Sequence, residues 1–354
     1  MPRLRAGVIG AGSWAVASHI PNLLKRTDDV ALVGFARPEQ ALIPWITEQF
    51  GFERGVTDHR ELLEMGLDVC IVSSPNRYHC EHAKAAMEAG AHVMVEKPFT
   101  IDPADAWDLV ETAERLGRHL VLALGWNYKP MVARAKELVE EHGGFGEVEH
   151  VMVDMSSAAR ELLAEARSYD AGSPVATARP ETYTDPSLSG GGYAQAQVSH
   201  ALGLALWLAE DLRASEVFSM MTAPLEAPVE LHGAMSVRFT NGAIGTVSGT
   251  SCHLGYHGNK HVLSVRIIGS EGMLSVDLGR ELVHWFGGAD QDIDVELDDR
   301  AGDYDCDGPV HTLIDLALGR DTRNRSPGHV GARSVEITEA AYRSAAAGRV
   351  AAVR

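Results

Sequence analysis

The strongest constraint on the fold lies at the start of the chain. An apolar run from Arg5 to Ile9 ends in Gly10-Ala11-Gly12-Ser13-Trp14-Ala15, and a helical pattern follows from Ser18 to Arg26. A strand, a G-x-G-x-x-A turn and a helix in that order bring the backbone close to a pyrophosphate. The phosphates then meet the unpaired N–H groups and the positive dipole end of the helix. Gly10, Gly12, Ser13 and Trp14 are therefore the first candidate cofactor contacts. Strand patterns at Val30 to Phe35, Val69 to Ser73, His92 to Val95 and His119 to Leu124 alternate with helix patterns at Ala41 to Phe50, His79 to Ala89 and Pro103 to Leu116. Such alternation predicts βαβ units and a parallel sheet, and the continuous apolar runs predict strands covered on both faces.

The pattern changes near residue 126. One more helix, Ala133 to His142, precedes longer strand-like stretches at Glu147 to Met155, Glu216 to Met221, Leu231 to Phe239, Ala243 to Cys252, His261 to Gly269 and Gly272 to Asp277. Short turns separate several of these, and Asn241-Gly242 is a hairpin signal. This predicts an α+β second domain with a large, mainly antiparallel open sheet, interrupted by a helix at Ala201 to Leu208. The chain closes with helices at Pro309 to Leu318 and His329 to Ala347. The reading divides it into a dinucleotide-binding domain, 1–126, and a substrate and oligomerisation domain, 127–354. The helix at about 329–347 is expected to return to the first domain. The irregular stretch from Ser157 to Ser189, with three prolines, reads as a lid or mobile loop that sets pocket specificity.

Composition narrows the partners. The 354 residues carry 31 basic and 49 acidic side chains, a net charge of −18, which excludes nucleic acid or an anionic membrane as the main partner. No apolar run is long enough to span a bilayer. Cys70, Cys80, Cys252 and Cys306 form no C-x-x-C pair and read as free thiols. Met1-Pro-Arg-Leu-Arg5 has no signal-peptide character. The expectation is a cytoplasmic protein acting on a small molecule.

Four further positions carry chemistry. The second strand ends in Gly34-Phe35-Ala36-Arg37, without the acid that binds a free ribose hydroxyl; Arg37 can accept a 2′-phosphate, so NADP is favoured over NAD. Glu96-Lys97-Pro98 places a lysine at the carboxyl end of a parallel strand, where such sheets bind ligands, and Ser73-Ser74-Pro75-Asn76 lines the same crevice. Gly190-Gly191-Gly192-Tyr193 leads into a helix on which Gln197, His200 and Leu204 share a face. An imidazole there suits proton exchange with a hydroxyl as hydride leaves its carbon. His253, His257 and His261 are spaced for a helical metal site, but their glycines argue for a loop, and no metal is expected. The acidic run Asp290 to Asp307 lacks calcium-loop spacing and reads as a solvated surface segment.

Taken together, Gly10-Ala11-Gly12, Pro75-Asn76 with His79, Glu96-Lys97-Pro98, Trp126-Asn127-Tyr128, the Gly190 to His200 segment, Ile268-Gly269-Ser270-Glu271-Gly272 and Glu339-Ala340-Ala341-Tyr342-Arg343-Ser344 resemble the Gfo/Idh/MocA oxidoreductases over nearly the whole chain. The resemblance implies a Rossmann domain and a larger open sheet whose outer face makes a homodimer or homotetramer. It implies that Lys97 holds the reacting oxygen and that His200 accepts the proton in oxidation and donates it in reduction. Ser74, Pro75, Asn76, His79, Glu96 and Lys97 join the cofactor contacts; Tyr128, Tyr183, Asp185 and Gln197 join Lys97 and His200 as substrate contacts. The carboxylate that the family often carries four residues before the histidine is Ala196 here, and the one three after it is Gly203. Tyr193, Gln197, Asp185 or Tyr183 is left to support His200, and Lys129 stands where arginine is common. The main reading is an NAD(P)-dependent oxidoreductase acting on a secondary alcohol or ketone of a sugar, cyclitol or glycoside. The alternatives are glycoside cleavage through transient oxidation, with the dinucleotide held throughout, and a non-enzymatic cofactor sensor.

Overall fold

The computed structural model describes residues 2–164, 179–252 and 262–354. The expected histidine cluster and much of the irregular loop lie outside the described residues. The chain forms two compact units. The first takes the residues up to Leu124, a stretch ending at Thr182, and Cys306–Ala332; the second takes the remainder. The division at Leu124 lies two residues from the boundary read from the sequence, but residues 306–332 belong to the first unit. The C-terminal helix Gly328–Ala347 thus begins in the first unit and continues in the second.

Among the described residues the first unit holds six strands: β1 (Leu4–Ile9), β2 (Val30–Ala36), β3 (Arg54–Val56), β4 (Val69–Val72), β5 (His92–Val95) and β6 (Leu120–Leu122). Their order is β3-β2-β1-β4-β5-β6, with all pairs parallel. The order reverses between β1 and β4, which is where open sheets of this kind bind ligands. Residues 69–72 are all buried, as expected of a strand covered on both faces. β3 and the short helix His59–Leu63 were not anticipated; three residues of strand carry too little pattern to read. The helix Pro103–Leu116 has proline at its first position, an Asp102 cap accepting from Ala104 N–H at 2.8 Å, and a left-handed Gly117 at its end.

The edge of β6 is closed by the returning segment. Ser326 and Leu122 exchange a pair of hydrogen bonds at 2.6 and 2.9 Å, and Asn324 Nδ2 donates to Leu120 O at 2.9 Å. This leaves no bare row of ladder groups on that side.

The second unit holds β7 (Val148–Ser157), β8 (Ala214–Thr222), β9 (His232–Phe239), β10 (Ile244–Ser251), β11 (Val262–Gly269), β12 (Met273–Asp277), β13 (Leu282–Phe286), β14 (Asp292–Asp294) and β15 (Ala351–Ala352). Among the described residues they form one sheet ordered β14-β13-β12-β11-β7-β10-β9-β8-β15. It is mainly antiparallel, as expected, but β7 and β10 run parallel at its centre. The Asn241-Gly242 turn joins β9 to β10. β10 alternates strictly between exposed and buried positions, so one face of the sheet packs on helices and the other is open.

One correction concerns the acidic run. It is not simply a solvated segment: β14 lies within it as an edge strand, and Cys306 near its end is buried. Both glycine turns also lead into helices whose opening residues, Ala15–His19 and Ala194–Val198, are π-helical. The wider turn breaks the 3.6-residue spacing that placed Gln197 and His200 on one face.

Candidate active site

In the first unit the candidate residues gather at the carboxyl ends of β1, β4 and β5. Gly10 has φ +84°, and a Cβ there would collide with the backbone of Ser74, so this turn must be glycine. Gly12 differs: a Cβ on it would meet nothing of the protein closer than 3.9 Å. Packing within the protein therefore does not require glycine at position 12. The following helix has no side-chain cap, and Trp14 is 38% exposed beside it. The glycine turn and the uncapped helix start are the features that would suit a dinucleotide pyrophosphate, whose charge a helix N-terminus favours.

Arg37 is 7% exposed and does not lie free on the surface. Its Nη1 donates to Ala11 O at 2.7 Å and its Nε to Glu39 at 2.9 Å. Arg179 also pairs with Glu39. Glu39, three residues beyond β2, escaped the sequence reading because the acid was sought at the strand end itself.

Ser74, Pro75 and Asn76 follow β4. Ser74 Oγ is 2.9 Å from His82 Nδ1. Burial, with the charge of His59, pushes His82 down to about 4, so it stays neutral. His79, expected as a cofactor contact, is fully buried. Its Nδ1 lies 2.9 Å from Pro98 O and its Nε2 2.8 Å from Ser74 O. It braces the loop carrying Ser74 against the loop carrying Lys97.

Glu96 and Lys97 follow β5, and the Lys97–Pro98 peptide is cis. Glu96 accepts from His19 Nε2 at 2.6 Å and from Lys97 N–H at 2.9 Å. Burial opposes ionisation of Glu96, but the His19 bond and the Lys97 charge outweigh it and hold its pKa below the ordinary value. Burial pushes Lys97 down, against the pull of Glu96 and Cys306. His19, Glu96 and Cys306 bring donor atoms within 4.8 Å of one another. Glu96 is already engaged by His19 and Lys97, so the group reads as a charge-balanced pocket around a lysine. His19 carried no signal in the sequence beyond lying on the first helix.

In the second unit His200 lies on the buried helix Ser199–Leu208. Trp126 packs edge-on to its ring with centroids 5.0 Å apart, and Tyr304 lies 5.8 Å from it and 4.4 Å from Trp126. Next to Tyr304, Asp305 pairs with Lys129 at 2.6 Å. The end of the acidic run therefore supplies an aromatic ring beside His200, which sequence reading missed. Gly125 makes room for it, since a Cβ there would collide with Asp305 O. Tyr128, in the turn Gly125–Tyr128, is half-buried.

Two of the residues expected to support His200 bond elsewhere. Tyr193 is 1% exposed and its hydroxyl is 2.8 Å from Ser157 Oγ. Asp185 caps the turn Pro186–Ser189, accepting from Ser187 N–H at 2.8 Å. Gln197 and Tyr183 are half-buried.

Known proteins match both parts of the chain. A family profile described as "Oxidoreductase family, NAD-binding Rossmann fold" matches residues 4–124, and the GFO/IDH/MocA C-terminal domain profile matches residues 132–275. D-Glucoside 3-dehydrogenase of Escherichia coli is 37% identical over 128 residues, which cover 36% of this chain and 35% of that enzyme. Levoglucosan dehydrogenase of Pseudarthrobacter phenanthrenivorans is 25% identical over 312 residues, 77% of this chain and 73% of that enzyme. A solved levoglucosan dehydrogenase, in complex with NADH and L-sorbose, superposes with a TM-score of 0.77 at 20% identity over 99% of each chain. Among the described residues, no helix is long and apolar enough to cross a membrane.

Proposed function

The chain belongs to the GFO/IDH/MocA oxidoreductase family, and from that premise we propose that it moves hydride between a nicotinamide dinucleotide and a secondary alcohol or ketone of a sugar, cyclitol or glycoside. The observation that carries this reading is Lys97: a half-buried ammonium at the end of β5, with the charge of the buried Glu96 beside it on the same loop. The dinucleotide, when bound, supplies the hydride acceptor or donor. Lys97 holds the reacting oxygen and stabilises the negative charge that grows on it as the C–H bond breaks. His200 takes the hydroxyl proton in oxidation and returns it in reduction. Trp126 and Tyr304 flank the imidazole and limit its rotation. The two carbohydrate dehydrogenases among the relatives support a carbohydrate substrate.

The working cofactor in this proposal is NAD. Arg37 by itself favours NADP, but its guanidinium already faces the Glu39 carboxylate. A 2′-phosphate would meet that negative charge, whereas a free ribose hydroxyl can donate to it. The protein is further proposed to be a homodimer or homotetramer through the open face of the second sheet. Met152, Phe218, Met220, Ile244 and Phe286 are 38–66% exposed there, more apolar surface than an isolated sheet face usually shows.

The test mixes the protein with NAD⁺ or NADP⁺ and a panel of sugars, cyclitols and glycosides, reading reduced-nicotinamide absorbance and product composition. Reduction with a sugar or cyclitol establishes the dehydrogenase and ranks the cofactors. Glycoside cleavage without net reduction would replace it by the transient-oxidation reading, which Ala196 leaves open. Tight dinucleotide binding with no turnover in either direction would point to a sensor.

A further inference from the structure

The closing motif, Glu339 to Ser344, takes no part in the chemistry above. Its Tyr342 meets Glu230, two residues before β9, at the start of the helix that carries His200. The Glu230 carboxylate accepts from Gly192 N–H at 2.8 Å, Ala194 N–H at 2.9 Å and Tyr342 O–H at 2.7 Å. Tyr342 Oη accepts in turn from Gly192 N–H at 3.2 Å, and the Gln195 backbone also bonds to it. Tyr193 N–H donates to the Glu230 carbonyl at 3.0 Å. These N–H groups open the helix, where the backbone provides no acceptors. No neighbouring side chain in sequence caps them. An ionised carboxylate at that end is also favoured by the helix dipole.

The glycine run fits the same clamp. Gly191 has φ +151°, and a Cβ on it would collide with the Tyr342 hydroxyl. A Cβ on Gly192 would collide with the Glu230 carbonyl. The run is thus shaped to receive two side chains from distant parts of the chain. After it the backbone makes the π-helical turn Ala194–Val198, with His200 two residues beyond. The helix itself supplies no carboxylate to orient the imidazole, because position 196 is alanine.

We propose that Glu230 and Tyr342 are positioning residues for His200, clamping the first turn of its helix so that the imidazole is held in one place. The proposal rests on the reading of His200 as the proton-transfer group. Burial raises Glu230, and its three donors oppose that shift. Burial likewise raises Tyr342 well above the ordinary phenol, keeping it a donor.

The test uses Glu230→Gln and Tyr342→Phe in the full chain. Glutamine keeps the size but turns an amide N–H₂ towards backbone donors; phenylalanine removes one hydroxyl. Two readouts are taken: steady-state kinetics on a substrate turned over by the parent, and NMR of isotope-labelled histidines. The expected result is a kcat lower by about 10- to 100-fold, the range of a sub-ångström to ångström misplacement. KM and dinucleotide affinity stay within about twofold, and the His200 resonance moves or splits. The double variant is expected to lose no more than the worse single one, since both act through one clamp. Folded variants with parental kcat and an unmoved His200 resonance would overturn the clamp. If the parent itself turns over nothing, the function proposed above fails, and the resonance alone decides the clamp. If Glu230→Gln does not fold, Tyr342→Phe decides it.

Discussion

His19 Nε2 lies 2.6 Å from Glu96 Oε1, and both side chains are buried. The other Glu96 oxygen accepts from the Lys97 backbone N–H, so one carboxylate joins the first helix to the loop carrying Lys97. Glu96→Gln is expected to lower stability by about 3–5 kcal/mol, the usual loss when one partner of a buried pair is removed. Chemical denaturation measures it. Glu96 has a folded pKa below its ordinary 4.5. Its contribution is therefore fully present above that value and is lost as pH falls through the depressed one. The parent should lose stability in that acid window, and Glu96→Gln should show a shallower acid limb there.

Lys97→Met is expected to lower kcat by about 10²–10³-fold while dinucleotide affinity changes little, read by turnover and by fluorescence titration. Burial places the Lys97 pKa below its ordinary 10.5. The cation is lost as pH rises through that lowered value, so kcat/KM should fall on the alkaline side before pH 10.5. Arginine stays protonated there, so Lys97→Arg should retain reduced activity without this limb.

In the proposed cofactor site, Glu39 and Arg37 would offer opposite charges to the ribose. Glu39→Gln is expected to raise the ratio of kcat/KM for NADP⁺ over NAD⁺ by about 10-fold or more, the value of one charge-assisted hydrogen bond. Arg37→Ala should move the ratio the other way. A parent enzyme that already prefers NADP⁺ would contradict the assignment of Glu39.

Ile244 is 50% exposed on the open face of the second sheet, in register with Arg238 on β9 and His150 on β7. Ile244→Arg adds a second cation beside Arg238 and removes apolar area. It should shift the protein towards monomer in analytical ultracentrifugation with little change in thermal stability. An unchanged sedimentation coefficient would place the subunit contact elsewhere.

Much of the fold was legible in the sequence because its signals are local. The glycine turn, the apolar strands of the first unit and the Asn241-Gly242 hairpin each declare themselves within a few residues. Lys97 and His200 stood out as candidates on the same kind of signal, as each follows a marked strand or glycine turn. What escaped depends on pairing between distant positions. The parallel match of β7 with β10 is invisible in either strand alone. His19 with Glu96, Tyr304 with His200 and Tyr342 with Glu230 are separated by 77, about 100 and 112 residues. The π-helical turns also hid, since an extra residue per turn leaves no hydrophobic signature.

The segment that closes β6 has a consequence for how the protein is made. Asn324 bonds to Leu120 across 204 positions of sequence. On the ribosome, the first five parallel strands can assemble while β6 still shows an unpaired flank, and that flank waits until the chain beyond residue 327 has emerged. Throughout that interval the nascent protein displays a sticky strand, a target for chaperones or for another unfinished copy. A fragment ended at residue 126 would keep that flank bare permanently, so the cofactor-binding half is not a module that can be cut out and expected to stay soluble.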